Sequence, residues 1–193
     1  MAYKRIGLFG GTFDPIHLGH LLVAQAAMEE AGLDRLFFIP AARSPFKEAS
    51  QPSSGADRLR WLRLSLCGIP EYEVDELEVL RGGISYAVDT VISYTERFPA
   101  AQLCYLIGAD HVAKLPLWRE AEKLASAVEF LVVPRPGEKE TPFPEPFKGK
   151  YLSGFPCQIS ASAIRERVRN KLSISGLVSS FVEEDIVNRR IYR

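Results

Sequence analysis

Short apolar runs that end at glycine or proline alternate along this chain with longer segments whose apolar positions recur every three or four residues. Ile6 to Phe9 is the first such run and reads as a buried strand entering a tight glycine loop. The periodicity after it predicts a helix from Pro15 to Ala31. Asp14 stands ready to cap that helix, Pro15 suits its first position and Gly32 suits its end. Leu36 to Ile39 reads as a second buried strand stopped by Pro40, and a Ser/Pro/Gly-rich loop at residues 50 to 55 precedes a helix from Asp57 to Leu66. A more polar strand from Tyr72 to Leu80, a helix from Tyr86 to Phe98 and a buried strand from Leu103 to Ile107 come next. A helix over Ala113 to Ala125 then leads to a strand from Phe130 to Val133. Pro134 to Pro146 holds too many prolines for either element and predicts a long surface loop. Two helices complete the pattern, one starting at Ser160 with Ile164 and Val168 at helical spacing, the other spanning Phe181 to Asn188.

Strands alternating with helices predict an α/β fold, a Rossmann-like doubly wound parallel sheet with helices on both faces and ligands outside the carboxyl ends of its strands. No repeat, charge block or linker interrupts the pattern, so residues 1–193 read as one domain. A hydrophobic share of 47% and a charged share of 25% are ordinary for a globular chain. Lysine plus arginine and aspartate plus glutamate number 24 each, leaving no net field to attract a nucleic-acid backbone. A small phosphate-bearing substrate needs only a local positive site. Cys67, Cys104 and Cys157 lie far apart in apolar surroundings and read as buried reduced thiols rather than a zinc or redox pair. The N-terminal stretch breaks at Gly7, Gly10 and Asp14, unlike a signal peptide, and no segment approaches the ~18 apolar residues of a membrane helix. The expectation is a cytoplasmic protein with neither membrane nor nucleic-acid partner. Oligomeric state stays open, a homodimer included.

Candidate chemistry concentrates in Gly10-Gly11-Thr12-Phe13-Asp14-Pro15-Ile16-His17-Leu18-Gly19-His20. A loop of small residues can bring several N–H groups to a phosphate, and the helix start adds partial positive charge, so an anion site is expected. Gly10 and Gly11 can take conformations closed to other residues, and Thr12 offers a hydroxyl. His17 and His20 fall on one face of the first helical turn, with Gly19 leaving room for close approach. The chain has 3 histidines, and two of them sit beside this loop, which argues against incidental surface positions. A histidine pair without nearby cysteines or a carboxylate cluster is a weak metal site. GxGxxG and the Walker loop are both absent, which lowers hydride transfer and P-loop hydrolysis as candidates.

The glycine loop leading into His17-x-Gly19-His20 resembles the (H/T)xGH signature of the nucleotidylyltransferase superfamily, and Ile159-Ser160-Ala161-Ser162-Ala163-Ile164-Arg165 resembles that superfamily's ISxTxxR segment. Within it the chain is similar, over nearly its whole length, to the bacterial nicotinate-nucleotide adenylyltransferase family. The landmarks are Ser85-Tyr86, Gly108-Ala109-Asp110, Trp118, the run Val132 to Gly137, and Ile191-Tyr192-Arg193. The resemblance implies adenylyl transfer from ATP to nicotinate mononucleotide, with Mg²⁺ bound mainly through ATP phosphates. It implies His17 and His20 as catalytic contacts to the reacting phosphorus, and Gly10, Gly11, Thr12 and Phe13 as the lining of the nucleotide site. Gly108 and Asp110 would meet the adenosine, and Ser160, Ser162 and Arg165 would hold the outer phosphates. Trp118, Ser85, Tyr86, Lys47 and Arg135 would serve the mononucleotide.

The sequence departs from that family's pattern in three places. Ser44-Pro45-Phe46-Lys47 replaces Pro-Pro-His-Lys, Ala87 replaces the threonine of SYTxxT, and Ser162 replaces a threonine while keeping the hydroxyl. Plainer readings stand beside the implied roles: Trp118 as core, Asp110 as a helix cap, His111 as an exposed neighbour, Lys47 as a loop lysine and Arg135 in a surface ion pair. The rival functions are transfer to nicotinamide mononucleotide or another phosphorylated acceptor, and a non-catalytic nucleotide-binding assembly protein, against which the intact His17 and His20 argue. A class I aminoacyl-tRNA synthetase would need a KMSKS segment and a tRNA-binding domain, and neither is found.

Overall fold

Six strands, β1 (Arg5–Gly11), β2 (Arg35–Pro40), β3 (Tyr72–Val74), β4 (Gln102–Ile107), β5 (Val128–Val132) and β6 (Gly149–Tyr151), form one sheet in the order β3-β2-β1-β4-β5-β6. Every pairing is parallel. The structure, a computed structural model, describes residues 3–45, 52–134, 137 and 140–193. From β1 the chain first builds outward through β2 and β3, then returns to lay β4 against the other side of β1. The winding reverses between β1 and β4, and a crevice opens there at the carboxyl ends.

The helices are α1 (Leu18–Ala31), α2 (Gly55–Leu66), α3 (Leu77–Arg81), α4 (Ala87–Arg97), α5 (Ala109–Val112), α6 (Ala121–Ala127), α7 (Ala161–Arg169) and α8 (Ser180–Asn188). Successive side chains of a strand point to opposite faces, and β2 shows the result. Leu36 and Phe38 join α1, α2, α7 and α8 in one core, while Phe37 and Ile39 join α4 and α6 in the other. Both faces of the sheet are therefore covered, which is why its strands are nearly continuous apolar runs. In the first core Trp61 is fully buried and donates its indole N–H to Asp185 at 2.9 Å, tying α2 to α8.

The doubly wound parallel fold is as expected, and several local expectations need correction. α1 starts at Leu18, not Pro15, because His17 has extended backbone (φ −146°, ψ 169°) and is the N-cap. Asp14 does not cap it; its carboxylate accepts the Tyr192 hydroxyl at 2.6 Å. The strand expected through Leu80 ends at Val74, because the Asp75 carboxylate accepts the Leu77 N–H at 2.9 Å and turns the chain into α3. The helix expected over residues 113–125 is broken around Pro116 into a 3-10 turn (Leu115–Leu117) and α6, with Glu120 in the left-handed region at φ 51° between them. β6 was not expected at all. It is short and only partly buried, so it carries almost no apolar signal. Of the cysteines only Cys104 is buried. Cys67 ends α2 in solvent and Cys157 is half-buried. Among the described residues no helix is long and apolar enough to cross a membrane.

Candidate functional site

Two adjoining cavities open at the crevice between β1 and β4. One, of about 340 Å³, is lined by Gly10, Gly11, Thr12, Ser85, Tyr86, Gly108, His111 and Trp118, with Glu78 in its wall. The other, of about 1230 Å³, is lined by Thr12, Phe13, His17, Gly19, His20, Ser160, Ser162 and Arg165. Phe9, Thr12, Ala41, Ser44, Leu106, Ile107 and Gly108 border both, so the cavities share a wall made by the ends of β1, β2 and β4.

The histidine pair dominates the larger cleft. The His17 and His20 rings stack with centroids 3.7 Å apart and planes 24° from parallel. The backbone N–H of His17 donates to His20 Nδ1 at 3.2 Å. An atom that accepts a hydrogen bond cannot also carry the proton, so neutral His20 holds its hydrogen on Nε2 as a donor. Gly19 is small for a definite reason: a Cβ there would stand 3.1 Å from the His17 ring. The helix start is a narrower anion site than expected. The Leu18 N–H is taken by the Leu177 carbonyl and that of His20 by the His17 carbonyl, each at 2.9 Å.

The loop before the pair is held by its surroundings. Phe13, not Gly10 or Gly11, takes the left-handed conformation, at φ 49°. Such backbone costs a bulky residue roughly 1–3 kcal/mol, and Phe13 holds it with its ring buried against Phe9, His20 and Phe38. The two glycines serve close approach instead. A Cβ on Gly10 would meet the Tyr105 hydroxyl at 2.6 Å, and one on Gly11 the Phe13 ring at 2.9 Å.

On the far side of the cleft, Ser160 is the N-cap of α7 and accepts the Ala163 N–H at 3.2 Å. Arg165 donates to the Ser162 hydroxyl at 3.1 Å and to the Asp14 carbonyl at 2.7 Å, so its guanidinium is aimed across the cleft at the glycine loop. Arg43 and Arg169 line the same cleft. The neutral chain thus gathers a local positive site, the condition set by its charge balance. Asp14, the nearby carboxylate, is tied to Tyr192, whose phenol is pushed up chiefly by burial and then by that hydrogen bond.

The smaller cavity is aromatic. Trp118 packs edge-on against Tyr105, Phe130 and His111 at 6.3, 6.3 and 5.8 Å, and so serves both the core and the cavity wall. Ser85 is buried and accepts the Ala42 N–H at 2.9 Å, fastening the β2 loop. Tyr86 is the N-cap of α4, and the Arg119 guanidinium lies 4.6 Å from its ring centroid.

Of the residues singled out in the sequence, Gly10 to Phe13, His17, His20, Ser85, Tyr86, Gly108, Trp118, Ser160, Ser162 and Arg165 line these cavities. Asp110 is not among the lining residues; its side chain is 66% exposed beside His111. His111, read as an exposed neighbour, is instead part of the cavity wall. Lys47 and Arg135 lie outside the described residues.

One residue that sequence reasoning missed is Arg58. It is 2% exposed and donates to the Thr12 carbonyl at 3.0 Å, the Ala41 carbonyl at 2.7 Å and the Ser53 carbonyl at 3.0 Å. One guanidinium therefore joins the β1 loop, the β2 loop and the segment entering α2. Burial pulls its pKa down and the Asp14 carboxylate works against that. Its only signal in the sequence was an arginine placed between Asp57 and Leu59, at a helix position that proves fully buried. Among the described residues no group of three or more His, Cys, Asp or Glu side chains could hold a metal ion.

A parallel sheet wound both ways around a β1 crevice, with a stacked histidine pair facing an α7 arginine, marks a nucleotidylyl-transferring class of fold and site. The chain belongs to the Cytidylyltransferase-like family, whose profile matches residues 8–167. Nicotinate-nucleotide adenylyltransferase of Bacillus subtilis is 36% identical over 190 residues, covering 98% of this chain and 98% of that protein. A Gemmatimonas aurantiaca protein named probable nicotinate-nucleotide adenylyltransferase is 42% identical over 196 residues, covering 98% of this chain and 92% of its own length. Among solved structures, Plasmodium falciparum nicotinic acid mononucleotide adenylyltransferase complexed with NaAD superposes with a TM-score of 0.79 at 17% identity, covering 98% of this chain and 97% of that one. At that identity the likeness is one of fold.

Proposed function

We propose that this chain transfers the adenylyl group of ATP to nicotinate mononucleotide, releasing pyrophosphate and forming nicotinate adenine dinucleotide for NAD biosynthesis. The observation that carries the reading is the pair of cavities meeting at one wall, the larger cationic with stacked histidines and the smaller aromatic. Two nucleotides seated there would bring a phosphate of each to the Thr12 end of β1.

The nucleophile is the acceptor's own 5′-phosphate, whose second pKa near 6 leaves it largely dianionic at neutral pH. An oxygen of that phosphate bonds to the α-phosphorus of ATP as the bond to the bridging oxygen breaks, and pyrophosphate leaves with the electron pair. No protein base or covalent residue is needed. Catalysis reduces to holding the two phosphates in line and stabilising charge on the α-phosphate and leaving group. His17 and His20 act at the α-phosphate, His20 through its Nε2 hydrogen. Ser160, Ser162 and Arg165 hold the outer phosphates, with Arg165 steadied by its bond to the Asp14 carbonyl. Trp118 and Tyr86 flank the pyridine ring, Ser85 supports the loop above it, and Lys47 and Arg135 approach the mononucleotide. Mg²⁺ would be held mainly by the ATP phosphates and would supply neutralisation of their charge.

Pyrophosphate release, measured with ATP and either nicotinate or nicotinamide mononucleotide, tests the reading. Turnover with the acid form exceeding that with the amide is expected. Release with neither acceptor sinks the proposed reaction, and a faster amide reaction reassigns the acceptor.

A further inference from the structure

Glu78 is a buried carboxylate that the reaction described above does not use. It lies on α3, is 3% exposed, and stands in the wall of the smaller cavity with Tyr86, Tyr105 and Trp118. The Thr90 hydroxyl donates to its Oε1 at 2.5 Å. No ion pair among the described residues reaches it. Its negative field is felt at the Tyr105 phenol, which is pushed up mainly by burial and further by Glu78. A carboxylate taken out of water without an opposite charge is unfavourable, and a ligand that brings a cation relieves that cost.

The end of the cavity at α4 has the opposite character. The Arg119 guanidinium lies over the Tyr86 ring, and the N-terminal end of α4 begins at Ala87, beside Ser85 and Tyr86. The cavity is therefore bipolar, with an anion in the α3 wall and positive charge at the α4 end. In a pyridine mononucleotide the ring nitrogen is bonded to the ribose and carries a formal positive charge. The acid form adds a carboxylate on the same ring, making it a zwitterion that matches such a cavity end for end.

We propose that Glu78 is a specificity-determining residue whose carboxylate is the countercharge of the pyridinium ring, so that the site selects an oxidised, positively charged ring over a neutral one. This rests on the acceptor being a pyridine mononucleotide. The 1,4-dihydro ring has the same substituents and has lost only the charge, so comparing the two forms isolates the effect of Glu78.

The test is kcat/KM for nicotinate mononucleotide and for its 1,4-dihydro form, with ATP saturating, in the wild type and in Glu78→Gln. The wild type should favour the charged ring by roughly tenfold or more, the scale of one charge pair at a partly desolvated site. In Glu78→Gln that preference should fall toward one through a raised KM for the charged ring, with the KM for ATP and the turnover of the dihydro ring unchanged. An unchanged preference in a folded Glu78→Gln protein overturns the proposal. If Glu78→Gln does not fold, the wild type decides: equal use of both rings overturns the proposal, and a preference of roughly tenfold or more for the charged ring supports it. A wild type that turns over neither ring form refutes the proposed reaction instead.

Discussion

The cleft around His17 and His20 and the cavity around Trp118 share a wall but are built in opposite ways. The first draws its proposed reacting groups from one stretch of chain, the loop and first turn between β1 and α1, with Arg165 closing the far side. The second is gathered from separate places along the chain: β1, the loop after β2, α3, the start of α4, the end of β4, α5 and the segment from Leu117 into α6. Charge stabilisation needs donors held rigidly relative to one another, and a strand running into a helix cap provides that locally. Selecting a ring needs walls on several sides, and only the folded sheet brings those together.

The largest effect should come from the compact side. His17→Ala and His20→Ala should each lower kcat by roughly 100- to 1,000-fold, the usual cost of one preorganised donor at a developing charge. Pre-steady-state and steady-state turnover with folded variants would measure it, and near-normal rates in either would remove that residue from the reaction. Arg58→Met tests whether the shared wall needs its clamp. Leaving the carbonyls of Thr12, Ala41 and Ser53 without their buried donor should destabilise the fold by about 2–4 kcal/mol. Denaturant unfolding reads that loss, and the KM values for both substrates should rise together because both cavities rest on the same loops. Trp118→Ala probes the dispersed side alone. The KM for the acceptor should rise about tenfold, on the scale of one lost stacking surface, while the KM for ATP holds. Equal changes in both would show that Trp118 acts as core.

The smallest effect lies away from both cavities and serves as a control. The backbone N–H groups of Gly154 and then Ser153 donate to the Glu30 carboxylate and lower its pKa from 4.5. A lowered folded-state value means stability that is present above about pH 4.5 and is lost as pH falls through the folded pKa. Glu30→Gln should therefore be less stable than the wild type at neutral pH, and the gap should close under acid. Catalytic rates should not change.

The same contrast explains what the sequence could disclose. The parallel sheet was legible because strands buried on both faces, such as Leu36 to Ile39, are unbroken apolar runs. The histidine pair was legible because its chemistry sits within four residues of sequence, although its cap was assigned to Asp14 when the actual N-cap is His17. Glu78 and Arg58 were not legible. Each is a charged residue on a helix, where the ordinary expectation is exposure, and only tertiary packing shows that they are buried. α3 was hidden by the turn at Asp75, a side-chain bond to the Leu77 N–H that leaves no periodic trace. His111 was misjudged because it lies on α5 (Ala109–Val112), a single turn too short to leave a periodic trace, which follows β4 and puts it in the cavity wall.

The wall common to both cavities, at the ends of β1, β2 and β4, has a further consequence for the proposed reaction. Two ligands arrive separately, each giving up its own freedom of movement; once pyrophosphate has gone, the dinucleotide that remains is held at both ends. When either half of the dinucleotide lets go, the other keeps it at the millimolar local concentration that a short tether confers. Rebinding then competes with escape. Bond formation thus joins two moderate affinities into one larger one, and the product holds the site more firmly than either nucleotide alone.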